Sequence, residues 1–263
     1  YFNYILLQLT YPDIVRKDNE TWVEHLGHLE KLHTSGHYNG TKYNVVPRLL
    51  NAADYGVPQI RHRVVIVGFR EDLGVEWSFP DGEYSREALL YSKFGTGEYW
   101  DIHKIATKHR SAPPQADLKK AEQFASKYAG YKDKPRPWKT VRDAIFDLPD
   151  PRSNAAIGVP NHEFRPGARS YTGHTGSILD EPSKTIKAGS HGVPGGENSV
   201  VLDDGSVRYY TVRESARIQT FPDDYLFFGS WTESMRQIGN AVPVKLAQMV
   251  GASIVKELQR SEK

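Results

Sequence analysis

The sequence predicts an α/β fold joined to a smaller, loop-rich, mainly β domain, and three observations carry that prediction. The run Val64-Val65-Ile66-Val67-Gly68-Phe69 is apolar without alternation, the pattern of a strand covered on both faces, as in a parallel sheet flanked by helices. Apolar residues recur at helical spacing near both ends: Ile5, Leu6 and Leu9, then Trp22, Leu26, Leu29 and Leu32, and finally Leu246, Val250, Ile254 and Leu258. Between about residues 72 and 210 that periodicity fades, and Gly, Pro, Ser, aromatic and basic residues become common.

Pro12 separates the first two helical pieces, because its ring removes an amide donor and crowds the preceding turn. Ser35-Gly36-His37-Tyr38-Asn39-Gly40 reads as a loop. Tyr43 to Leu50 is a strand candidate, with Pro47 restricting it to an edge or a bulge. In the irregular stretch, Lys104–Arg110 and Lys132–Lys139 are locally basic, with Tyr131 and Trp138 interleaved. Residues 199–202 and 207–210 form a hairpin across Asp203-Asp204-Gly205-Ser206. Thr211 and Glu214 have capping-box spacing, so a helix starts there and stops before Pro222. The last helix begins near Pro243, where a proline costs no hydrogen bond, and Gly251 beside its apolar stripe predicts a close neighbour. No internal repeat or low-complexity tract is evident.

The 263 residues suffice for one large domain or two modest ones, and the 38% hydrophobic and 25% charged content is that of an ordinary globular protein. A net charge of +2 does not announce a nucleic-acid binder, so any such face must come from local clustering. The chain has no cysteine, which excludes disulfides, thiolate metal sites and thiol nucleophiles within it. No apolar run is read as reaching membrane-spanning length, and no basic leader precedes an apolar stretch; the expectation is a cytoplasmic protein without a membrane partner. The first residue is Tyr1, inside an element already under way, so a chain lacking its natural beginning is expected.

Three short segments carry chemistry. In Asn51-Ala52-Ala53-Asp54-Tyr55-Gly56-Val57-Pro58-Gln59-Ile60-Arg61-His62-Arg63, a glutamine and two arginines alternate where a loop becomes a strand, which puts all three on one side. Adjacent guanidiniums repel unless something anionic or carbonyl-rich lies opposite; a structural ion pair at the strand entrance is the competing account. In the segment 212–225, Arg213 and Arg217 form an i,i+4 pair around Ser215 and Ala216, read either as a solvated face or as a packed one. Gln237-Ile238-Gly239-Asn240-Ala241-Val242-Pro243-Val244 is a turn that delivers amides at a helix start, either an anion site or simply a well-made cap.

Taken together and in order, Gln-x-Arg-x-Arg, Arg-Glu-x-x-Arg-x-x-x-Phe-Pro and Gln-x-Gly-Asn-x-Val-Pro resemble motifs VIII, IX and X of the DNA cytosine-5 methyltransferases, with the target-recognition region between the first two. Pro182-Ser183-Lys184-Thr185-Ile186-Lys187-Ala188-Gly189 resembles the family's Thr-Leu recognition signature, with isoleucine in the second place. The resemblance implies part of a Rossmann-like, S-adenosylmethionine-dependent methyltransferase sheet plus a small target-recognition domain. It implies the division 1–72 (catalytic-domain remnant), 73–232 (target recognition) and 233–263 (a helix returning to the catalytic domain).

It further implies that the target cytosine is flipped out of the duplex and methylated at C5 from S-adenosylmethionine. Arg63 then resembles the arginine at the flipped base's O2, Arg61 the one at the adjacent phosphate, and Gln59 a shaper of the turn that counts with Arg61 among the expected DNA-binding residues. Asn240 and Ala241 resemble cofactor-pocket residues, although many relatives carry serine where Ala241 stands. Thr185, Ile186 and Lys187 would face DNA, whereas Arg213 and Arg217 would brace the domain. The family's Pro-Cys, Glu-Asn-Val and glycine-rich cofactor motifs are not in the sequence. The implied protein is the DNA-recognising C-terminal part of such an enzyme, in a restriction–modification setting at the bacterial nucleoid, inactive alone and partnered by duplex DNA and a missing N-terminal half or complementary subunit. A catalytically silent, sequence-specific DNA-binding module is the alternative, and an RNA methyltransferase of the same fold a third.

Overall fold

Tyr11 and Pro12 interrupt the helical pattern where the sequence predicts, and in the computed structural model α1 (Phe2–Thr10) ends there before α2 (Trp22–Ser35) begins. The structure describes residues 1–173, 175–188 and 198–261, so Gly189 of the recognition signature lies outside the described residues. Two compact units emerge, one of residues 1–50, 64–80 and 250–263, the other of 51–63 and 81–249.

In the first unit, Thr21 and Glu24 close a capping box on α2, and Gly36 ends that helix at φ 68°. Tyr4, Tyr11 and Leu29 form its small core. The Tyr4 hydroxyl lies 2.8 Å from Nδ1 of the buried His25, so a polar atom that burial would otherwise penalise is satisfied. Strands β1 (Tyr43–Asn51) and β2 (His62–Arg70) form a two-stranded ribbon. Its register is antiparallel: the Glu71 amide donates to Lys42 at 2.8 Å, and the Ala52 amide to Arg61 at 2.9 Å. The parallel, doubly covered strand expected from Val64–Phe69 is therefore corrected. Each strand of a two-stranded ribbon has a free edge, which suits Pro47, and Val64 stays 53% and Leu49 63% exposed.

In the second unit the chain passes Gly56 at φ 77°, where a Cβ would come within 2.6 Å of the Tyr84 ring. It continues through β3 (Tyr84–Ser85), α3 (Arg86–Leu90), α4 (Glu98–Ile102), α5 (Gln115–Lys127), β4 (Arg136–Pro137) and α6 (Val141–Ile145). The short β3 and β4 pair in parallel. Next come β5 (Ser177–Ile178), β6 (Ser199–Val201) and β7 (Val207–Tyr209), a three-stranded sheet whose last two members are the expected hairpin. Helices α7 (Val212–Ile218) and α8 (Trp231–Asn240) follow. The core joins Val141, Ile186, Val200, Tyr210, Ala216, Met235 and Ile238.

The chain is thus mixed helix and sheet, but among the described residues of this unit helix exceeds strand, against the mainly β expectation. The clearest case is α5, whose Ala121 and Phe124 are buried at i,i+3 spacing. Their signal is diluted by the lysines around them.

The final helix, α9 (Val244–Ser261), starts directly after Pro243 as predicted. Two expectations about this end are corrected. A Cβ on Gly251 would meet nothing within 4 Å, so that glycine marks no close approach. The stretch Trp231–Arg260 is long and apolar enough, by length and composition, to qualify as a membrane span. It is nonetheless two helices, broken where Ala241 adopts an extended ψ of 151°, and α8 buries Met235 and Ile238 in the core.

Candidate nucleic-acid and cofactor interface

Gln59 and Arg61 project to one side of their segment and are both buried, while Ile60 between them and His62 after them are exposed, the period-two pattern the sequence predicts. What lies opposite is carbonyl-rich. Arg61 donates from Nη1 to Ile186 O at 3.0 Å and from Nη2 to Gly239 O at 2.6 Å and Ala241 O at 3.2 Å. Gln59 accepts from the Ile186 amide at 2.8 Å and donates to Gln219 Oε1 at 3.2 Å. Gln219 in turn donates to Ile238 O at 2.7 Å. With no carboxylate among these partners, burial followed by the charge of Arg63 pushes the Arg61 guanidinium down to about 10. Its Nε is buried without a partner among the described residues.

Segment 183–186 lies along this arm almost as an added strand. Ser183 N donates to Pro58 O at 2.9 Å, Ile60 N to Ser183 O at 2.9 Å, and the Thr185 hydroxyl to Ile60 O at 2.8 Å. Gly239 presses against the end of the same segment: a Cβ there would stand 2.3 Å from the Ala188 amide nitrogen and 2.5 Å from the Lys187 carbonyl carbon. Segments 58–61, 183–188 and 238–241 therefore meet at one buried junction.

The expected contacts separate accordingly. Gln59, Arg61 and Ile186, expected to face DNA, are buried, so their side chains are not presented to solvent. Arg63 is half-buried, with Nη1 on the carbonyl of His62 at 2.7 Å, Thr185 is half-buried, and Lys187 is exposed. Asn240, expected in a turn, instead ends helix α8 and is exposed, and Ala241, the first residue beyond that helix, is half-buried. The helix start after them is not the open anion site considered from sequence, because Val244 N donates to Gln219 O at 3.0 Å and Lys245 N to Thr220 Oγ1 at 2.9 Å.

Arg213 and Arg217 brace the fold. The fully buried Arg213 donates to the carbonyls of Pro160, Pro222 and Tyr225, and Arg217 bridges Asp223 and Asp147. Between them Glu214 completes the capping box with Thr211 and takes a two-pronged ion pair from Arg208 at 2.6 and 2.7 Å. The basic runs are partly neutralised, with Arg110 on Asp101 and Arg136 on Glu83. Trp138 donates to Asp54 at 3.0 Å. Burial raises the Asp54 carboxyl, while that bond and the charge of His62 oppose the rise. Sequence reasoning missed Gln219 and Gly239; both lie inside quoted motifs, but their partners are up to 178 residues away.

The family model of the C-5 cytosine-specific DNA methylases matches residues 13–256. The chain belongs to that family. It is 33% identical over 242 residues to the Type II methyltransferase M.MthTI of Methanothermobacter thermautotrophicus, covering 82% of this chain and 58% of that protein. It is 32% identical over 224 residues to the Type II methyltransferase M.Eco47II of Escherichia coli, covering 82% and 47%. The chain spans about half the length of the curated relatives it matches. Among solved structures, the Dnmt2 methyltransferase of S. pombe superposes with a TM-score of 0.46 at 16% identity, covering 92% of this chain and 64% of that one.

Proposed function

We propose that this chain is the DNA-recognising part of a cytosine-5 methyltransferase that modifies a specific duplex site in a restriction–modification setting, and that the attacking thiolate is supplied by another segment. The observation that carries this reading is the junction at Arg61, where the segments resembling motif VIII, the recognition signature and motif X meet although up to 180 residues separate them. The sequence contains no cysteine, so no residue of this chain can attack C6 as a thiolate.

The division of labour follows from exposure. Arg63, half-buried beside the buried arm, is suited to hold the O2 oxygen of an extruded cytosine, since a guanidinium donates to carbonyl oxygens in a fixed plane. Thr185 and Lys187 are suited to the duplex, the first through hydroxyl lone pairs left after its bond to Ile60, the second through an exposed ammonium. The end of α8 at Asn240 fits one wall of a cofactor site, with an exposed carboxamide on a helical backbone, and Ala241 beside it adds only backbone groups and a methyl. S-adenosylmethionine, when bound, supplies the methyl group. By motif, residues 1–72 and 233–263 belong with the catalytic part and 73–232 with target recognition.

Reconstitution tests the reading. The chain is mixed with an upstream half bearing the Pro-Cys motif, and tritiated methyl incorporation into duplex DNA is followed. Activity well above that of either part alone is expected. No gain, together with sequence-selective duplex binding by the chain alone, would replace this reading with that of a silent DNA-binding module.

A further inference from the structure

We infer that Gln59, Arg61, Gln219 and Gly239 form a backbone clamp that fixes the position of the recognition segment 183–188, and that they act on DNA only through that segment. The inference rests on the duplex-reading function proposed above and specifies how the reading surface is held.

Gln59 and Arg61 grip Ile186 through both its amide and its carbonyl. The Ile186 amide donates to Gln59 at 2.8 Å, and the Ile186 carbonyl accepts from Arg61 at 3.0 Å. The same guanidinium reaches the Gly239 and Ala241 carbonyls at 2.6 and 3.2 Å. A displacement of segment 183–188 would therefore break one arm of a fork whose other arm holds the C-terminal end of α8 at Gly239 and Ala241. Gln219 closes the loop by joining Gln59 to Ile238 O, at 3.2 and 2.7 Å. Gly239 sets the spacing, because any side chain there would overlap the Ala188 backbone at 2.3 Å, and backbone, unlike a flexible side chain, cannot swing away. Exposed Lys187 directly follows the gripped residue, so an error in the grip is passed to its side chain.

Clamp and phosphate contact predict different outcomes. Arg61→Lys keeps the charge, so a phosphate contact would largely survive; a single ammonium cannot reproduce a planar fork spread over several carbonyls, so the clamp would fail. Gly239→Ala changes no charge at all. Binding of the full chain is measured on a pool of duplexes with randomised cores, scoring both the selectivity of enrichment and the slope of affinity against salt. Both variants are expected to lose about tenfold or more in selectivity, the order of one good base contact, with the salt slope unchanged. Arg61→Met is expected to leave that slope unchanged too, whereas loss of a phosphate contact would lower it by about one. Wild-type selectivity in Arg61→Lys and Gly239→Ala, or a reduced slope in Arg61→Met, overturns the clamp.

Hydrogen exchange tests the clamp without DNA. The Ile186 amide should exchange at least about tenfold faster in both variants while the α5 amides keep their protection, the sign of local rather than global opening. Unchanged Ile186 exchange in Gly239→Ala refutes the clamp. If the unmodified chain enriches no duplex either alone or with the Pro-Cys half added, the proposed function fails while the exchange result still decides the clamp.

Discussion

Two arginines separated by one residue have opposite fates. Arg61 is buried against distant carbonyls, whereas half-buried Arg63 bonds the adjacent carbonyl of His62. Their alternation is legible in the sequence, as is the need for an anionic or carbonyl-rich partner; that the partners are carbonyls, and whose, is not, because they belong to residues more than a hundred positions away. The Arg208–Glu214 pair is the other residue-scale feature with large consequences. Both partners are buried and doubly bonded, so Glu214→Gln leaves a buried guanidinium without its counter-charge. We expect a loss of about 3–5 kcal/mol, read as a lowered urea midpoint at unchanged slope. Acid titration provides a further test. Hydrogen bonds from Arg142 hold Asp203, and hydrogen bonds from Arg217 hold Asp223, below the ordinary carboxylate range. For Asp143 burial acts upward but is outweighed by His103 and the Thr140 amide, so it too is lowered. A folded-state pKa below the unfolded one contributes stability that is complete above the unfolded value and lost as pH falls through the folded value. Urea midpoints should therefore hold between about pH 7 and about pH 5 and fall below about pH 4; a midpoint that rises on acidification contradicts the assignment.

At the scale of elements, the helices flanked by strong local signals are the readable ones. The Thr211–Glu214 box, the break at Pro12 and the start of α9 after Pro243 all follow from chemistry within a few residues. Helix α5 is not readable in this way, since its buried Ala121 and Phe124 sit among solvated lysines. The two glycines near the C-terminus make the contrast sharpest. Gly251 stands beside an apolar stripe, yet a Cβ there meets open space; Gly239 has the look of a turn residue, yet backbone lies against it. Gly251→Ala should accordingly stabilise the chain by about 0.5–1 kcal/mol, since alanine loses less backbone freedom in a helix. A calorimetric Tm below that of the parent would show that something packs there after all.

Across the whole molecule, the sequence pattern and the structure disagree most at the β1–β2 ribbon. Val64–Phe69 reads as a strand covered on both faces, yet Val64 and Leu49 remain more than half exposed. Apolar exposure of this kind marks interaction surfaces. We expect the chain alone to bind a hydrophobic dye under native conditions and to release it when the Pro-Cys half is added; dye binding unaffected by that half would point to another occupant. The clamp has a different consequence, for inheritance rather than stability. Arg61 and the amide-binding edge of Gln59 hold main-chain atoms of Ile186, Gly239 and Ala241; the carbonyls are common to every amino acid, and the amide hydrogen at 186 to every one but proline. The grip is therefore indifferent to the side chains at the exposed positions Lys184, Lys187 and Ala188. On the duplex-reading function proposed above, a lineage can rewrite the letters that meet the duplex while the anchoring arm stays untouched, so a new target sequence need not await a new scaffold.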